Sequence, residues 1–450
     1  MQERTDRVTR RRFLRGAVGG ALAVGTLGLA ACAPSAPPAP PSGKPAESKP
    51  ADVAKAPATG QKVTLQFWTN WAGAQKETWE KLMAEFHQTE PTVEIQSSYM
   101  SLAELQQKTV AALAGGQPPD LWINAAMVRP ELVRDGAVVA LDTLGKVPED
   151  FFPASNRASL RDGKRWGVPN NGGLPVIWYH EALFQEAGLD PDKPPTTWEE
   201  LVSYAQKVNK PEKKQFGIMF PNRPYPWTTE VWYGFLLQAG GDMLAPDERE
   251  VAFNSEAGVK ALKLWSDVVN VQKVAPQTAL DADTLVSTYQ TGTVGLFPTY
   301  PVLTTRIKTF PFKSRNTPYP TNVKKGTHFA GNYSTIAAAS KNKEAAFRWC
   351  EWWWQPEVNA KWCAGTGALP ARASSREHAI YQEFSKNEPL TKAFLDSIEF
   401  AQAIPAVQGI TEVQQALSEA IEAASFGRKE PKAALDEAAQ TANAVLAKNR

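Results

Sequence analysis

The run GKRWGVPNNGGLPVIWYHEALFQEAGLDPDKPPTTWEELVSYAQKV, residues 163–208, decides how the rest of the chain is read. It opens with a Gly-Lys turn and a short extended piece over 165–168. Pro169-Asn170-Asn171-Gly172-Gly173 follows with no regular period and three positions suited to unusual backbone angles, which predicts a loop. The apolar residues 176–179 then predict a strand, and 181–187 a short helix stopped by Gly188. After the turn-forming LDPDKPP, Thr197 and Glu200 carry the signature of a capping box. Trp198, Leu201, Val202, Ala205 and Val208 recur behind them on one helical face.

Towards the N-terminus the same alternation of elements appears. Val63, Leu65 and Phe67 alternate as a strand, and Trp79, Leu82, Met83 and Phe86 share one face of the helix behind it. A second strand over 93–98 and a helix capped by Ser101, with Glu104 completing the box, lead to a third strand, Pro118-Pro119-Asp120-Leu121-Trp122-Ile123-Asn124. This β-α-β-α-β order predicts an α/β fold with a mainly parallel sheet covered on both faces. Such sheets bind ligands at the carboxyl ends of their strands, where Asn70, Trp71 and Asn124 fall.

Several stretches together resemble the extracellular solute-binding proteins of ABC importers, the carbohydrate-type family of maltose-binding-protein-like chains. They are Trp166-Gly167-Val168-Pro169, Trp178-Tyr179-His180-Glu181-Ala182-Leu183-Phe184, Pro194-Pro195-Thr196-Thr197-Trp198-Glu199-Glu200-Leu201 and Lys341-Asn342-Lys343-Glu344-Ala345-Ala346. One departure is His180, where the family commonly has Asn. The resemblance covers nearly all of 61–450. It implies a two-lobed periplasmic-binding-protein fold, each lobe a mainly parallel sheet flanked by helices, with a hinge between. Residues 61–168 with 326–369 would form the first lobe and 169–325 with 370–450 the second, with crossovers near Pro169, Gly326 and Pro370.

Residues 1–31 read as an export signal of the twin-arginine type. Arg10 and Arg11 precede an apolar, Gly/Ala-rich stretch too short for a comfortable membrane span, and Leu29-Ala30-Ala31-Cys32 matches the lipobox in which Cys32 is acylated. Residues 32–60 hold the lipidated Cys and a Pro/Ala-rich linker whose eight prolines favour extended conformations. The net charge of +2 comes from this leader. Without its six Arg and two acids, 43 basic residues face 45 acidic ones. Nothing in that balance suggests a nucleic-acid partner. Cys350 and Cys363 remain, either as a disulfide in an exported chain or as two buried thiols.

No set of catalytic residues emerges. The four His are isolated, without metal-ligand spacing, and no nucleophile elbow, P-loop or dinucleotide fingerprint occurs. The expectation is therefore no enzyme, no cofactor and no metal. What the chain offers instead is aromatic and amide side chains at loop positions. An aromatic ring covers the C–H face of a sugar while amides and acids satisfy its hydroxyls. Trp71, Trp227, Trp232, Tyr300 and Tyr333 are the candidate plates; Tyr300 and Tyr333 are placed by the resemblance, and Trp232 has core packing as its alternative. Asn70, Asn124, Asn170, Asn171 and Glu230 are the candidate hydroxyl partners. The expected partners are a carbohydrate ligand, ABC permease subunits and, through a lipid anchor, the membrane, for a protein acting as a monomer. A binder of an anionic solute such as a glycerol phosphoester or uronate, using Arg223 as clamp, and a cleft carbohydrate hydrolase with Glu230 as its acid are the alternatives.

Overall fold

The structure, a computed structural model, describes residues 62–449 other than Tyr225 and Val302; the leader with Arg10 and Arg11, and Cys32, lie outside the described residues. The first lobe opens with β1 (Val63–Thr69), α1 (Ala74–Thr89), β2 (Val93–Tyr99), α2 (Leu102–Ala114) and β3 (Leu121–Ala125). In β1 the alternation is literal: Leu65 and Phe67 are fully buried and Thr64 is exposed. After a short hairpin of Leu160–Arg161 and Lys164–Arg165 come β4 (Val168–Gly173) and β5 (Val176–His180). The second lobe is built from β5 with α3 (Trp198–Val208), β6 (Phe216–Ile218), α4 (Pro226–Gln238), α5 (Glu256–Asn270), β7 (Val294–Thr299) and β8 (Ser314–Thr317). The chain returns to the first lobe with β9 (Ala330–Ile336), α6 (Lys343–Trp353) and α7 (Pro356–Thr366), and ends on α8 (Ile410–Ser425) and α9 (Pro431–Lys448).

The first sheet has the order β2-β1-β3-β9-β4. β1 pairs in parallel with both β2 and β3, and β9 runs against its neighbours β3 and β4. The second sheet has the order β8-β5-β7-β6: the edge strand β8 pairs antiparallel with β5, β5 antiparallel with β7, and β7 parallel with β6. In each sheet all strands but one run the same way, β9 being opposed in the first and β5 in the second.

Three boundaries differ from the sequence reading. The expected loop Pro169–Gly173 lies inside strand β4, whose residues 168–172 are buried and paired with β9. Neither Gly172 nor Gly173 has positive φ. Gly172 is small for a different reason, since a Cβ there would come within 2.7 Å of the Phe329 ring. The crossover thus falls at Leu174-Pro175, between the two sheets, rather than at Pro169. The Thr327 hydroxyl donates to the Pro175 carbonyl (3.0 Å), stitching the outgoing crossover to the returning one.

The second is the start of α4. The sequence PNRPYPWTT, residues 221–229, reads as a loop before a helix from Glu230, but the helix begins already at Pro226, because a proline at the first helical position forfeits no hydrogen bond and supplies a helical φ. The third is the last crossover. Short helices at Ala373–Glu377 and Ala379–Asn387 pack with α7, and buried Tyr381 donates its hydroxyl to the Ala368 carbonyl (3.2 Å), so this segment stays with the first lobe beyond Pro370.

Local signals account for much of the rest. Ser101 and Thr197 cap α2 and α3 by accepting from the amides of Glu104 and Glu200, both at 3.2 Å. The Glu200 carboxylate completes its box one residue further back than expected, on the Thr196 amide and hydroxyl (both 2.7 Å). His180 does the work of the Asn it replaces: its Nδ1 accepts from the Leu183 amide (3.3 Å), capping a helix over Glu181–Glu186. Its ring stacks on Phe312 at 3.9 Å, and burial holds it below the usual histidine pKa, so it caps as the neutral imidazole.

Cys350 and Cys363 are separate buried thiols, each pushed up in pKa by burial. Trp349, Trp352, Trp353 and Trp354 are all in the first-lobe core around α6. Among the described residues no helix is long and apolar enough to cross a membrane.

Candidate ligand site

Strand register brings several of the polar candidates to one edge of the first sheet. Asn70 follows the last residue of β1, and Asn332 of β9 lies between Ala125 of β3 and Asn171 of β4. Asn171 Oδ1 accepts from Asn332 Nδ2 (3.4 Å). Asn124 donates to the Thr335 hydroxyl (3.0 Å), and Asn170 accepts at Oδ1 from the Ser334 hydroxyl (3.1 Å). The Asn170 carbonyl also accepts from Asn359 Nδ2 on α7 (2.7 Å). These bonds hold β4 and fix the amides. Asn70 Oδ1 and Asn170 Nδ2 stay buried without a protein partner, and a buried amide left that way calls for a water or a ligand.

The second lobe supplies the aromatic and acidic side. Trp227 and Glu230 lie three residues apart in the first turns of α4, and Tyr300 follows the end of β7. Trp227 and Tyr300 are partly buried, with ring centroids 6.3 Å apart. The Tyr300 hydroxyl is 3.2 Å from Glu230 Oε2 and 2.7 Å from His328 Nδ1. A Cβ on Gly173 would stand 3.7 Å from the Tyr300 ring, so this cluster adjoins the end of β4. Behind it, Gln414 of α8 donates to the Thr229 hydroxyl (3.0 Å), bracing the first turn of α4.

The electrostatics follow from burial. Desolvation pushes the Glu230 carboxyl up to about 7, against the Tyr300 hydrogen bond, which lowers it. Burial takes His328 down to about 3, so its imidazole is neutral. Near neutral pH this acid is poised between its two forms; protonated, it joins a phenol and a neutral imidazole beside an indole in a set that donates to and accepts from uncharged hydroxyls.

Three candidates sit elsewhere. Trp71 is 2% exposed and packed among Phe67, Trp79, Trp353 and Trp362, with ring centroids 4.6–6.4 Å away. Its ring belongs to the first-lobe core, because the chain turns inward directly after β1. Trp232 is fully buried on the inner face of α4 in the second-lobe core. Tyr333 is fully buried on β9, facing Arg161 and Arg165 rather than Tyr300. His328 was missed by the sequence reading as an isolated histidine. The signal was its place two residues before a strand that returns to the first lobe, where the chain must pass the cleft.

With two lobes joined by short crossovers and polar groups at their facing edges, the architecture is that of a binding protein. The chain belongs to the bacterial extracellular solute-binding protein family, matched over residues 81–389. A binding protein of Brucella abortus (strain 2308) is 24% identical over 384 residues, 82% of this chain and 90% of that protein. The sn-glycerol-3-phosphate-binding periplasmic protein UgpB of Yersinia pseudotuberculosis is 21% identical over 414 residues, 85% of this chain and 92% of that one. Among solved structures, the cyclic alpha-maltosyl-1,6-maltose binding protein of Arthrobacter globiformis matches with a TM-score of 0.76 and 25% identity, over 86% of this chain and 100% of that chain.

Proposed function

We propose that this protein is the substrate-binding component of an ABC importer, capturing a sugar or oligosaccharide between its lobes and handing it unaltered to a membrane permease. The observation that carries the reading is the cluster of Trp227, Glu230, Tyr300 and His328 beside the amide edge of the first sheet. It offers a ring for a sugar face and donors and acceptors for its rim. The cyclic-maltosyl-maltose-binding structure of the same fold supports the carbohydrate class. Asn70, Asn124, Asn170 and Asn171 would contact the ligand from the first lobe, and the lobes would close on it by population shift. Export, acylation at Cys32, a monomeric state and the absence of turnover complete the proposal.

The glycerol-phosphoester alternative has a relative in its favour but a weaker site. Arg223, its expected clamp, is exposed and already paired with Asp281 at 3.1 Å. Titration calorimetry of the purified protein against a panel of neutral oligosaccharides, glycerol 3-phosphate and a uronate tests the proposal. Saturable binding of a neutral saccharide is expected. Binding confined to the anions, with strong salt dependence, would replace it with the alternative.

A further inference from the structure

A cavity of about 610 Å³ shares no lining residue with this cluster. Its walls come from both lobes: Arg134, Arg157 and Arg161 on the first, Glu248 and Val407-Gln408 on the second. The first-lobe wall is anchored where the Val128 amide donates to the Ala158 carbonyl and the Arg165 amide to Asp142. Across the cavity, Arg134 Nη1 donates to Gln408 Oε1 at 3.2 Å.

The guanidiniums here are incompletely matched. Arg157 stands 3.9 Å from Asp242 and 3.7 Å from Glu248, charge pairs beyond good hydrogen-bond distance. Arg161 uses Nη1 on the Arg157 and Leu160 carbonyls, while its Nε and Nη2 are buried without a partner. Burial lowers its pKa, with Glu248 and Asp162 opposing. A guanidinium short of acceptors is a costly thing to bury, and an oxyanion supplies what it lacks.

We propose that this cavity is a second ligand site, taking a small solute through a carboxylate or phosphate group held by Arg157 and Arg161. Its occupant touches both lobes and so favours the arrangement in which they meet. Tyr233 connects it to the first site. The Tyr233 hydroxyl donates to Asp242 (2.6 Å) beside Arg157, and its ring meets His328 edge-on at 5.8 Å.

The test is calorimetric titration of the purified wild-type protein with inorganic phosphate and, separately, acetate, ionic strength being held with chloride. Saturable binding of at least one is expected, weakened at least about tenfold in both Arg161→Gln and Arg157→Gln. Two variants are used because Arg161 is the more buried, and circular dichroism checks that each is folded. Which of the two anions saturates distinguishes the phosphate from the carboxylate. Heats no larger than those of chloride, or equal affinity in a folded Arg157→Gln protein, would overturn the proposal. Anion binding is measured without saccharide, so its failure is separate from failure of the carbohydrate reading.

Discussion

The Tyr300 hydroxyl stands between two acceptors, 2.7 Å from His328 Nδ1 and 3.2 Å from Glu230 Oε2, and has one proton for both. Two arrangements satisfy all three groups. A protonated Glu230 donates to Tyr300, which donates to an unprotonated Nδ1; or a neutral His328 carrying its proton on Nδ1 donates to Tyr300, which donates to the carboxylate. Ionisation of Glu230 is thereby tied to the tautomer of His328.

The two buried groups bend stability with pH in opposite senses. Glu230 rises from 4.5 to about 7 on folding, so its contribution is full below pH 4.5 and is lost as pH climbs through 7, on the order of 3 kcal/mol in all. His328 falls from 6.5 to about 3, so its contribution is full above pH 6.5 and is lost as pH drops towards 3. Between pH 4.5 and 6.5 the slopes offset. Thermal melts should therefore show Glu230→Gln losing Tm on acidification below pH 6.5. His328→Gln should lose Tm as pH rises from 4.5 to 7. Parallel curves for the two variants would contradict this.

Tyr300→Phe removes the hydrogen bond that lowers Glu230. The carboxyl should then titrate above about 7, read from its infrared band or from the midpoint of the melting profile. An unmoved or lower midpoint would mean that the phenol does not hold the acid.

Two tryptophans from the same sequence argument should behave differently. Trp71→Ala opens a cavity in a closely packed aromatic core and should cost about 3–5 kcal/mol in denaturant melts. Trp227→Ala, at the partly buried start of α4, should leave most of the stability and weaken saccharide binding about tenfold or more. Equal loss of stability in both would place Trp227 in the core instead.

The thiols of Cys350 and Cys363 are fully buried and disfavoured as thiolates. They should resist a disulfide reagent such as Ellman's in the native protein and react promptly in denaturant. Rapid native labelling of either would show that α6 or α7 opens locally.

Much of the fold was legible because it rests on local chemistry. The caps at Ser101 and Thr197 and the alternation in β1 fall where side-chain pattern alone puts them. Strand β4 was not legible, since Pro169, the asparagines and the glycines disfavour a strand, and only the ladder to β9 and the close approach of Phe329 make them one. The site divides the same way. Trp227, Glu230 and Tyr300 lie together, a grouping no local pattern announced, whereas Trp71, Trp232 and Tyr333 turn inward. Which face of an element meets the cleft depends on packing between distant segments, and no local signal carries it.

Leu174 and Pro175 are the whole distance between two sheets, and Pro175 has its φ fixed and its carbonyl tied to Thr327. So few torsions remain at this crossing that a swing of one half against the other would turn there about a nearly fixed axle. On the function proposed above, how far the jaws part is then limited here by the backbone itself.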